Sequence, residues 1–578
     1  MIFLEKIFNK LQSLINSIKN KVSEFNTIFL SLLKYKSYII FIKLKAIIKN
    51  ILQLKFLEIK RNSSKKNFRL KNLKFLASWS HSKEKKDHSK SILIDCMWDN
   101  ANYWLRYSFF RKAMKLSQYN EYAIFSDSTI SSEKLITETF KFISLGSSNL
   151  SSKPNLKNIK KAYLLLKNVK NNSDFLKIKL PFKFPISILY DDILKKQLRA
   201  SIDLKDKKII YYLAELLTFL EETENLFERK NFNLVVLSHG MGFTFTSLAW
   251  IALNKKIPVY ILYGDFSTKR FFFLENPSDL FSYPSRVTNE EIKLLPNKYK
   301  LFLISKGYDL IKERFSGISK DIGAKYAYNR ISKNIDKNLI CKNYEWDIKK
   351  PIIMIYTSVW FDFPHGSGLK HFDDFFDWIK QTLKVVSNNT NVNWLIKPHP
   401  LEEFFPYIKG NNLKNLVNSQ NKKHIKLTQK NWASTQVLNS VDGIITCHGT
   451  IGLEASILGI PVLVPYKGYY GHLSFVNLSL SKKDYFKKLN TDWYLKKPSK
   501  TSKDKAALFS ALYYGRPKWQ KYLYSPDENQ DKIYLDINEM FLNNSQTIKS
   551  EIVNLKNWIK SKHKYYQIFK MLNDYKNK

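Results

Sequence analysis

Histidine, proline and a basic side chain come together directly after one predicted strand. Lys-Pro-His-Pro occupies residues 397–400 and follows the alternating apolar residues Val392, Trp394 and Ile396. The two prolines restrict the backbone on both sides of His399, which holds its imidazole at the end of the strand. A histidine there can donate to a phosphate or act as an acid toward a leaving group. A turn histidine bonded to nearby backbone is the structural alternative.

A second stretch places histidine, glycine and threonine at residues 448–450, between a predicted strand ending at Ile445 and a predicted helix over 451–458. The first N–H groups of a helix and the positive end of its dipole bind phosphate well. Thr450 can donate to a phosphate oxygen, and Glu454 can accept from a sugar hydroxyl. The structural alternatives are a simple N-cap and a carboxylate that complements the helix dipole.

These two stretches together resemble the capsule polysaccharide biosynthesis family. The resemblance rests on Lys-Pro-His-Pro, followed about fifty residues later by Asp-Gly-Ile-Ile-Thr-x-His-Gly-Thr-x-Gly-Leu-Glu-Ala, and is sharpest over residues 351–472. The family consists of bacterial glycosyltransferases of the GT-B type, related to Kdo transferases and sialyltransferases that use CMP-activated sugars. The resemblance therefore implies an α/β fold with two Rossmann-like domains in a GT-B arrangement.

The resemblance also implies a reaction: transfer of an acidic sugar, such as Kdo or sialic acid, from a CMP donor to a capsule or other surface polysaccharide. Its histidine-proline motif falls on His399 and Pro400 and its nucleotide-phosphate turn on residues 448–450. We expect the donor to contact Lys397, Pro400, His448, Gly449, Thr450, Glu454 and Ser358, with Asp362 and His365 as secondary candidates. Because no Asp-x-Asp motif occurs, we expect metal-independent transfer. We expect the nucleotide sugar, CMP-linked as the family resemblance implies, as a substrate and no cofactor.

Polar residues also follow predicted strands in the first half of the chain. The predicted strand at 234–237 leads into a turn that contains His239, and the predicted strand at 258–262 leads into a turn that contains Asp265. Since the carboxyl ends of parallel strands meet at one edge of a sheet, we expect both side chains to face the cleft, where either can serve as the base for an acceptor hydroxyl. The predicted acceptor-side residues follow the first strand and are Asp99, Asn102 and Arg106, together with Asp95; capping and surface pairing are the alternatives.

Composition indicates a multidomain globular protein, because the 578 residues are 44% hydrophobic and 15% aromatic. The formal charge of +45 is typical of nucleic-acid binding. Most basic residues, however, are lysines spread along the chain. We therefore expect no nucleic-acid partner and favour anionic membrane lipid as the partner of this charge. The cysteines lack the paired spacing of a disulfide framework or zinc site, which fits a reducing cytosol: Cys96, Cys341 and Cys447.

The chain divides into four predicted parts: a basic amphipathic helical arm and linker at 1–88, an acceptor-side Rossmann-like domain at 89–345, a nucleotide-sugar domain at 346–490, and helices at 491–578 that return across the cleft. No run in the arm is long and apolar enough to span a bilayer. We expect residues 1–60 to bind an anionic membrane surface from the cytoplasmic side; packing on protein is the alternative. Residues 61–90 are predicted to be a linker.

Two other functions stay open. A glycerophosphate or polyol-phosphate transferase of the teichoic-acid type also uses a Lys-Pro-His-Pro turn. Such proteins usually carry Asp-Tyr-Ser-Ser where this chain has Cys-His-Gly-Thr at 447–450. A non-catalytic membrane-associated assembly factor of polysaccharide export would instead tolerate substitution of His399 and Glu454.

Overall fold

Two six-stranded sheets form the centres of two α/β domains. We describe them from a computed structural model. The residues that the structure describes are 64–126, 129–146, 153–264, 269–282, 287–316, 335–399, 402, 412–430, 432–515 and 537–576. Asp265, Pro400 and residues 1–60 therefore lie outside the described residues.

The first sheet has the strand order β3-β2-β1-β4-β5-β6, and only β6 runs antiparallel to its neighbour. Its strands are β1 (Ser91–Asp95), β2 (Asn120–Ile124), β3 (Ile143–Ser144), β4 (Leu234–Leu237), β5 (Val259–Tyr263) and β6 (Arg270–Leu274). The central strands are short apolar runs with both faces buried, as parallel sheets covered by helices require. This is the strand order of a Rossmann fold.

Helices cover both faces of the first sheet. They are α1 (Ser64–Ser80), α2 (Ala101–Met114), α3 (Ile130–Phe140), α4 (Leu156–Leu166), α5 (Asn172–Phe175), α6 (Ile186–Gln197), α7 (Lys208–Arg229) and α8 (Phe243–Asn254). Asn100 caps the start of α2 by accepting from the backbone N–H of Asn102. The sequence predicted α7 and the helix after β4, but it gave no usable signal for α6.

The second sheet repeats the same order in parallel strands, as β9-β8-β7-β10-β11-β12. Its strands are β7 (Ile352–Tyr356), β8 (Asn393–Lys397), β9 (Ile425–Leu427), β10 (Gly443–Thr446), β11 (Val462–Val464) and β12 (Asn477–Leu478). Between and after them lie α12 (Phe375–Val386), α13 (Leu413–Asn418), α14 (Ser434–Val437), α15 (Thr450–Leu458) and α16 (Lys482–Lys488). The prediction of two Rossmann-like domains in one α/β chain is confirmed.

Helices connect the two sheets and return to the first domain at the end of the chain. The connection contains α9 (Asn289–Leu294), α10 (Asn297–Phe315) and α11 (Lys337–Tyr344), and the last helices are α17 (Lys500–Tyr514), α18 (Ile537–Asn543), α19 (Ser545–Ser561) and α20 (Tyr566–Lys576). Helices α10 and α17 pack so closely that a Cβ on Gly307 would lie 1.9 Å from the carbonyl oxygen of Ala507. Helix α19 packs on α2, and α20 packs on β6.

One local prediction is wrong, because residues 61–90 are not a simple linker. Ser64–Ser80 forms the helix α1, which packs on α2 and buries Leu73, Leu76 and Ala77. Lysine, serine and asparagine outnumber the apolar residues of this segment, so its single buried stripe was not evident. Within the described part of the chain, no helix is long and apolar enough to cross a membrane.

Candidate functional site

Three strands of the second sheet end in register at one edge. Tyr356 at the end of β7 pairs with Lys397 at the end of β8 and with Thr446 at the end of β10. Neighbouring strands are about 4.8 Å apart, so the turns after β8 and β10 start about 10 Å from each other, on either side of β7. Both histidine motifs identified in the sequence therefore begin at the same edge of the sheet.

The turn after β8 is held by the turn after β7. The backbone N–H of His399 donates to Thr357 Oγ1 at 3.1 Å, and the Thr357 N–H donates to the Lys397 carbonyl at 3.1 Å. The Lys397 ammonium donates to the carbonyl of Trp432, at the wall of the site. These bonds fix the backbone around His399, whose side chain remains partly exposed.

The turn after β10 brings His448 and the start of α15 to the same edge. His448 Nδ1 lies 2.9 Å from the Tyr466 hydroxyl, and Gly449 is the N-cap residue of α15. A Cβ on Gly449 would lie 2.9 Å from Thr446 Oγ1, which itself accepts from the Gly449 N–H at 3.2 Å. Glycine is therefore required for this tight turn. Thr450 follows as the first helical residue and is partly exposed.

Residues 466–472 pack against this turn. Tyr470 donates its hydroxyl to the Gly449 carbonyl at 2.9 Å, and a Cβ on Gly452 would come within 2.2 Å of the same hydroxyl oxygen. Tyr466, Tyr469 and Tyr470 are all buried. The segment therefore forms a packed wall behind the turn.

Burial makes both histidines weak bases. It lowers the pKa of His399 to about 4. Burial also lowers the pKa of His448 to about 4, with a further contribution from the charge of His399. The two imidazoles are thus close enough to affect each other and are both neutral at neutral pH. A neutral imidazole can still donate one hydrogen bond to a phosphate oxygen.

Glu454 lies beneath the turn rather than at its surface. The side chain is 0% exposed, and its Oε1 accepts from Arg314 Nε at 3.1 Å and from the Tyr514 hydroxyl at 3.1 Å. Arg314 comes from α10 and Tyr514 from α17, so the carboxylate joins the site helix α15 to both. In this geometry no exposed atom of Glu454 is available to a sugar hydroxyl.

The loop after β7 faces the first domain. Ser358 is buried directly after the strand, whereas Asp362 is exposed in the cleft. His365 Nδ1 lies 2.7 Å from Asp191 Oδ1, and the Gly366 N–H donates to Asp191 Oδ2 at 2.8 Å. Asp191 belongs to α6, so His365 forms part of a contact between the domains.

A second contact between the domains centres on the buried Asp374, before α12. Its Oδ2 accepts from the Tyr190 hydroxyl and the Ser201 hydroxyl, each at 2.6 Å. Burial raises the pKa of this carboxyl to about 6, against the lowering effect of those hydrogen bonds. Sequence reasoning missed Asp374 and α6 because the partners are separated by 184 and 173 residues.

Lys195, also on α6, is a further cleft residue that the sequence did not indicate. Its side chain is exposed, and its ammonium lies 4.5 Å from the ring centroid of Phe363 in the loop after β7. Its charge lowers the pKa of His239, after burial and Arg106. One cation therefore acts on groups of both domains.

On the first domain, the ends of β1 and β4 meet at the cleft. Asp95 closes β1, and Ser238 and His239 follow β4. Ser238 donates its hydroxyl to Asp95 Oδ2, and His239 Nδ1 lies 2.9 Å from the same hydroxyl oxygen. The His239 ring is partly exposed and contacts Trp98 edge to face at 4.3 Å. Asp265, the other predicted base, lies outside the described residues.

Two of the predicted acceptor-side residues, Asp99 and Arg106, form side-chain hydrogen bonds within the first domain. Asp99 accepts from the indole N–H of Trp104 at 2.9 Å and from the Ser132 hydroxyl at 2.5 Å. Arg106 is 0% exposed and donates from Nε to the Leu262 carbonyl at 2.8 Å. Asn102 is buried in the first turn of α2. Pairing within the fold, the alternative to acceptor contacts, thus accounts for Asp99 and for the Arg106 Nε.

Among the described residues, no group of three or more His, Cys, Asp or Glu side chains is placed to hold a metal ion. The three cysteines are buried and reduced: Cys96, Cys341 and Cys447. Burial raises the pKa of the Cys447 thiol, so this residue beside His448 is not an activated nucleophile.

Comparisons with known proteins give fold-level likeness only. No family model and no curated protein matches the chain. Among solved structures, KpsC, a beta Kdo 2,4 transferase of Thermosulfurimonas dismutans, has 13% identity and a TM-score of 0.30 over 48% of this chain and 79% of that one. The calicheamicin glycosyltransferase CalG4 has 10% identity and a TM-score of 0.22 over 74% and 95% of the two chains. The wall teichoic acid polymerase TagF has 10% identity and a TM-score of 0.19 over 88% and 98%.

These values are too low to support any inference about activity. The α/β assignment rests on the two sheets themselves, and function has to be argued from the site.

Proposed function

We propose that the protein is a glycosyltransferase that transfers a sugar from a nucleotide donor to an acceptor hydroxyl. More specifically, we propose that the donor is a CMP-linked acidic sugar such as Kdo or sialic acid and that the acceptor is a capsule or other surface polysaccharide. The identities of this donor and this acceptor rest on the sequence resemblance. The site described above supports the more general proposal, which is sugar transfer from a nucleotide donor.

The observation that carries the proposal is the convergence of the two histidine turns on one sheet edge. His399 follows β8, His448 follows β10, and the first turn of α15 begins beside them at Thr450. Ligands of doubly wound α/β sheets bind at the carboxyl ends of the strands, near the point where strand order reverses. In this sheet that point lies between β7 and β10, at the turns after those two strands.

Each part of this edge has a defined task in the proposed reaction. The N–H groups at the start of α15 and the helix dipole stabilise the negative charge that develops on the nucleotide phosphate as it leaves. His399 and His448 donate hydrogen bonds to the same phosphate. Lys195 contributes a cation from the first domain, and His239 stands across the cleft as the base for the acceptor hydroxyl.

The test is a donor panel assayed for nucleotide release and sugar transfer. The purified protein is incubated with CMP-Kdo, CMP-sialic acid, CDP-glycerol and UDP-N-acetylglucosamine, with and without surface polysaccharide fragments. We expect CMP release from an acidic sugar donor, and a fall of about 100-fold or more in His399→Ala. Turnover of CDP-glycerol alone would favour the teichoic-acid type of transferase. Turnover of no donor would favour the assembly factor.

We further propose that residues 1–60 hold the enzyme on the cytoplasmic face of the membrane, near a lipid-linked or polymeric acceptor. Support comes from the helical spacing of apolar residues in that segment, with lysines on the other face. Sedimentation with vesicles of anionic and of zwitterionic lipid tests it. We expect binding to anionic vesicles that salt weakens, and equal binding to both kinds of vesicle would contradict the proposal.

A further inference from the structure

Three side chains at the ends of β1 and β4 form a continuous hydrogen-bonded chain. Asp95 Oδ2 accepts from the Ser238 hydroxyl and from the Ser238 backbone N–H at 2.9 Å, while Asp95 Oδ1 accepts from the Met97 N–H at 2.6 Å. The chain continues from the Ser238 hydroxyl oxygen to His239 Nδ1 at 2.9 Å. Asp95 and Ser238 are both 0% exposed, so water does not compete for these bonds.

The protons available to this series of hydrogen bonds determine the tautomer of His239. Ser238 has one hydroxyl proton, and it is donated to Asp95. The contact between Ser238 and His239 therefore needs its proton from Nδ1. A neutral imidazole with its proton on Nδ1 carries its lone pair on Nε2. Among the residues that the structure describes, the His239 ring is bonded through Nδ1, and none of them occupies the Nε2 lone pair.

The charge states required for this count hold at neutral pH. Burial raises the pKa of Asp95 to about 6, against hydrogen bonds from Ser238 and Met97 that lower it, so the carboxyl is mostly ionised at neutral pH and in that form only accepts. Burial, then Arg106 and Lys195, lower the pKa of His239 to about 4, so the imidazole is neutral.

Three aromatic side chains around the imidazole hold its plane. They contact it with ring centroids at 4.3, 5.2 and 5.5 Å: Trp98, Phe245 and Tyr263. The ring is therefore restrained by its contacts with these three rings and by a directed hydrogen bond at Nδ1.

We infer that Asp95 and Ser238 are positioning residues that fix the Nδ1–H tautomer of His239 and so present Nε2 as the base of the reaction. Nε2 takes the proton of the acceptor hydroxyl as that oxygen bonds to the donor's anomeric carbon. The bond from that carbon to the phosphate oxygen breaks, and the nucleotide leaves with the electron pair. The tautomer follows from the hydrogen-bonded chain with Asp95 ionised, whereas the role of Nε2 rests on the proposed transferase function.

The tautomer is measured directly by nitrogen NMR. Protein labelled with 15N in its histidine rings is examined by two-bond 1H–15N correlation, and the His239 signals are assigned by their loss in His239→Gln. We expect the Nδ1–H pattern in the wild type at neutral pH and a shift toward the Nε2–H form in Ser238→Ala. A wild-type ring with its proton on Nε2 would overturn the inference, whatever the variants do.

Ser247 provides a matched control. It is a serine of α8 that is also 0% exposed, and its hydroxyl has no hydrogen-bond partner among the described residues. Ser247→Ala removes a buried hydroxyl without touching the chain from Asp95 to His239, so the tautomer and the transfer rate should stay at wild-type values.

The kinetic arm uses the donor identified by the panel. We expect Ser238→Ala to lower kcat about 10- to 100-fold with KM nearly unchanged, because the variant changes the tautomer of His239 and leaves the substrate contacts intact. A Ser238→Ala enzyme that shifts the tautomer yet keeps full kcat would overturn the positioning role. A wild-type protein that turns over no donor would count against the proposed function, and the NMR result would then decide the tautomer by itself.

Discussion

Breaking the buried ion pair beneath the site turn should destabilise the protein rather than weaken nucleotide binding directly. Glu454 is 0% exposed and the Arg314 side chain 7% exposed, with Nε to Oε1 at 3.1 Å. Arg314→Met leaves a fully buried carboxylate without this cation, which costs about 3–5 kcal/mol of unfolding free energy. Glu454→Gln keeps the shape and the acceptor oxygen and loses the charge, so we expect a smaller loss of about 2 kcal/mol.

The double variant separates the pair from its surroundings. If the charges interact mainly with each other, Arg314→Met combined with Glu454→Gln is more stable than the sum of the single losses implies, by about 1–3 kcal/mol. Thermal unfolding measures these losses, because about 1 kcal/mol shifts Tm by about 2–4 °C in domains of this size. As a control, Lys134→Met breaks the exposed pair with Glu138 at 3.9 Å and should leave Tm at its wild-type value.

The same variants decide between two roles for Glu454. The sequence suggested a contact with a donor hydroxyl, whereas the structure places the carboxylate between α10 and α17. If Glu454→Gln leaves Tm unchanged and weakens nucleotide binding tenfold, the structural role is refuted.

Three further outcomes are expected. Tyr190→Phe removes a donor 2.6 Å from buried Asp374 and should cost about 1–3 kcal/mol in denaturant titration. Lys195→Met should weaken nucleotide binding in calorimetry, whereas Lys196→Met, which removes an ammonium 3.0 Å from a glutamate of α7, should not. A bound phosphate raises the pKa of His448 above its value of about 4, so binding takes up protons and tightens as pH falls toward about 5; calorimetry in buffers of different ionisation enthalpy measures the uptake.

Each of these has a contradicting result. Unchanged stability in Tyr190→Phe would mean that the contact between the domains is not formed in solution. Equal effects of the two lysine variants on nucleotide binding would show that Lys195 makes no specific contribution to it. Proton release on nucleotide binding, or affinity that falls with falling pH, would place the phosphate away from His448.

The sequence was sufficient for the strands that build the site. β1, β4, β7, β8 and β10 are short apolar runs closed by polar, glycine or proline residues, and such a run can be recognised without its neighbours. The two turns after β8 and β10 were identified for the same reason, because their residues are contiguous. Their convergence then follows from the parallel sheet.

Contacts between distant segments could not be predicted from the sequence. The partners of Glu454 lie 140 and 60 residues away, and no local pattern distinguishes a carboxylate that accepts from a ligand from one that accepts from a buried arginine. Ser238 belongs to the same case: its hydroxyl contacts Asp95 across 143 residues. The roles predicted for His399, His448 and Thr450 stay predictions, and those for Asp265 and Pro400 fall outside the described residues.

Calorimetric titration of the full-length protein with CMP, CDP, UDP and GDP, repeated on His399→Ala, is the most direct test of the central claim that this sheet edge binds the donor's nucleotide phosphate. We expect CMP to bind selectively and His399→Ala to lose most of that affinity while retaining the wild-type Tm without ligand. Tight binding of CMP that is unchanged in His399→Ala would place the nucleotide elsewhere. Absence of binding by all four nucleotides would contradict the transferase assignment.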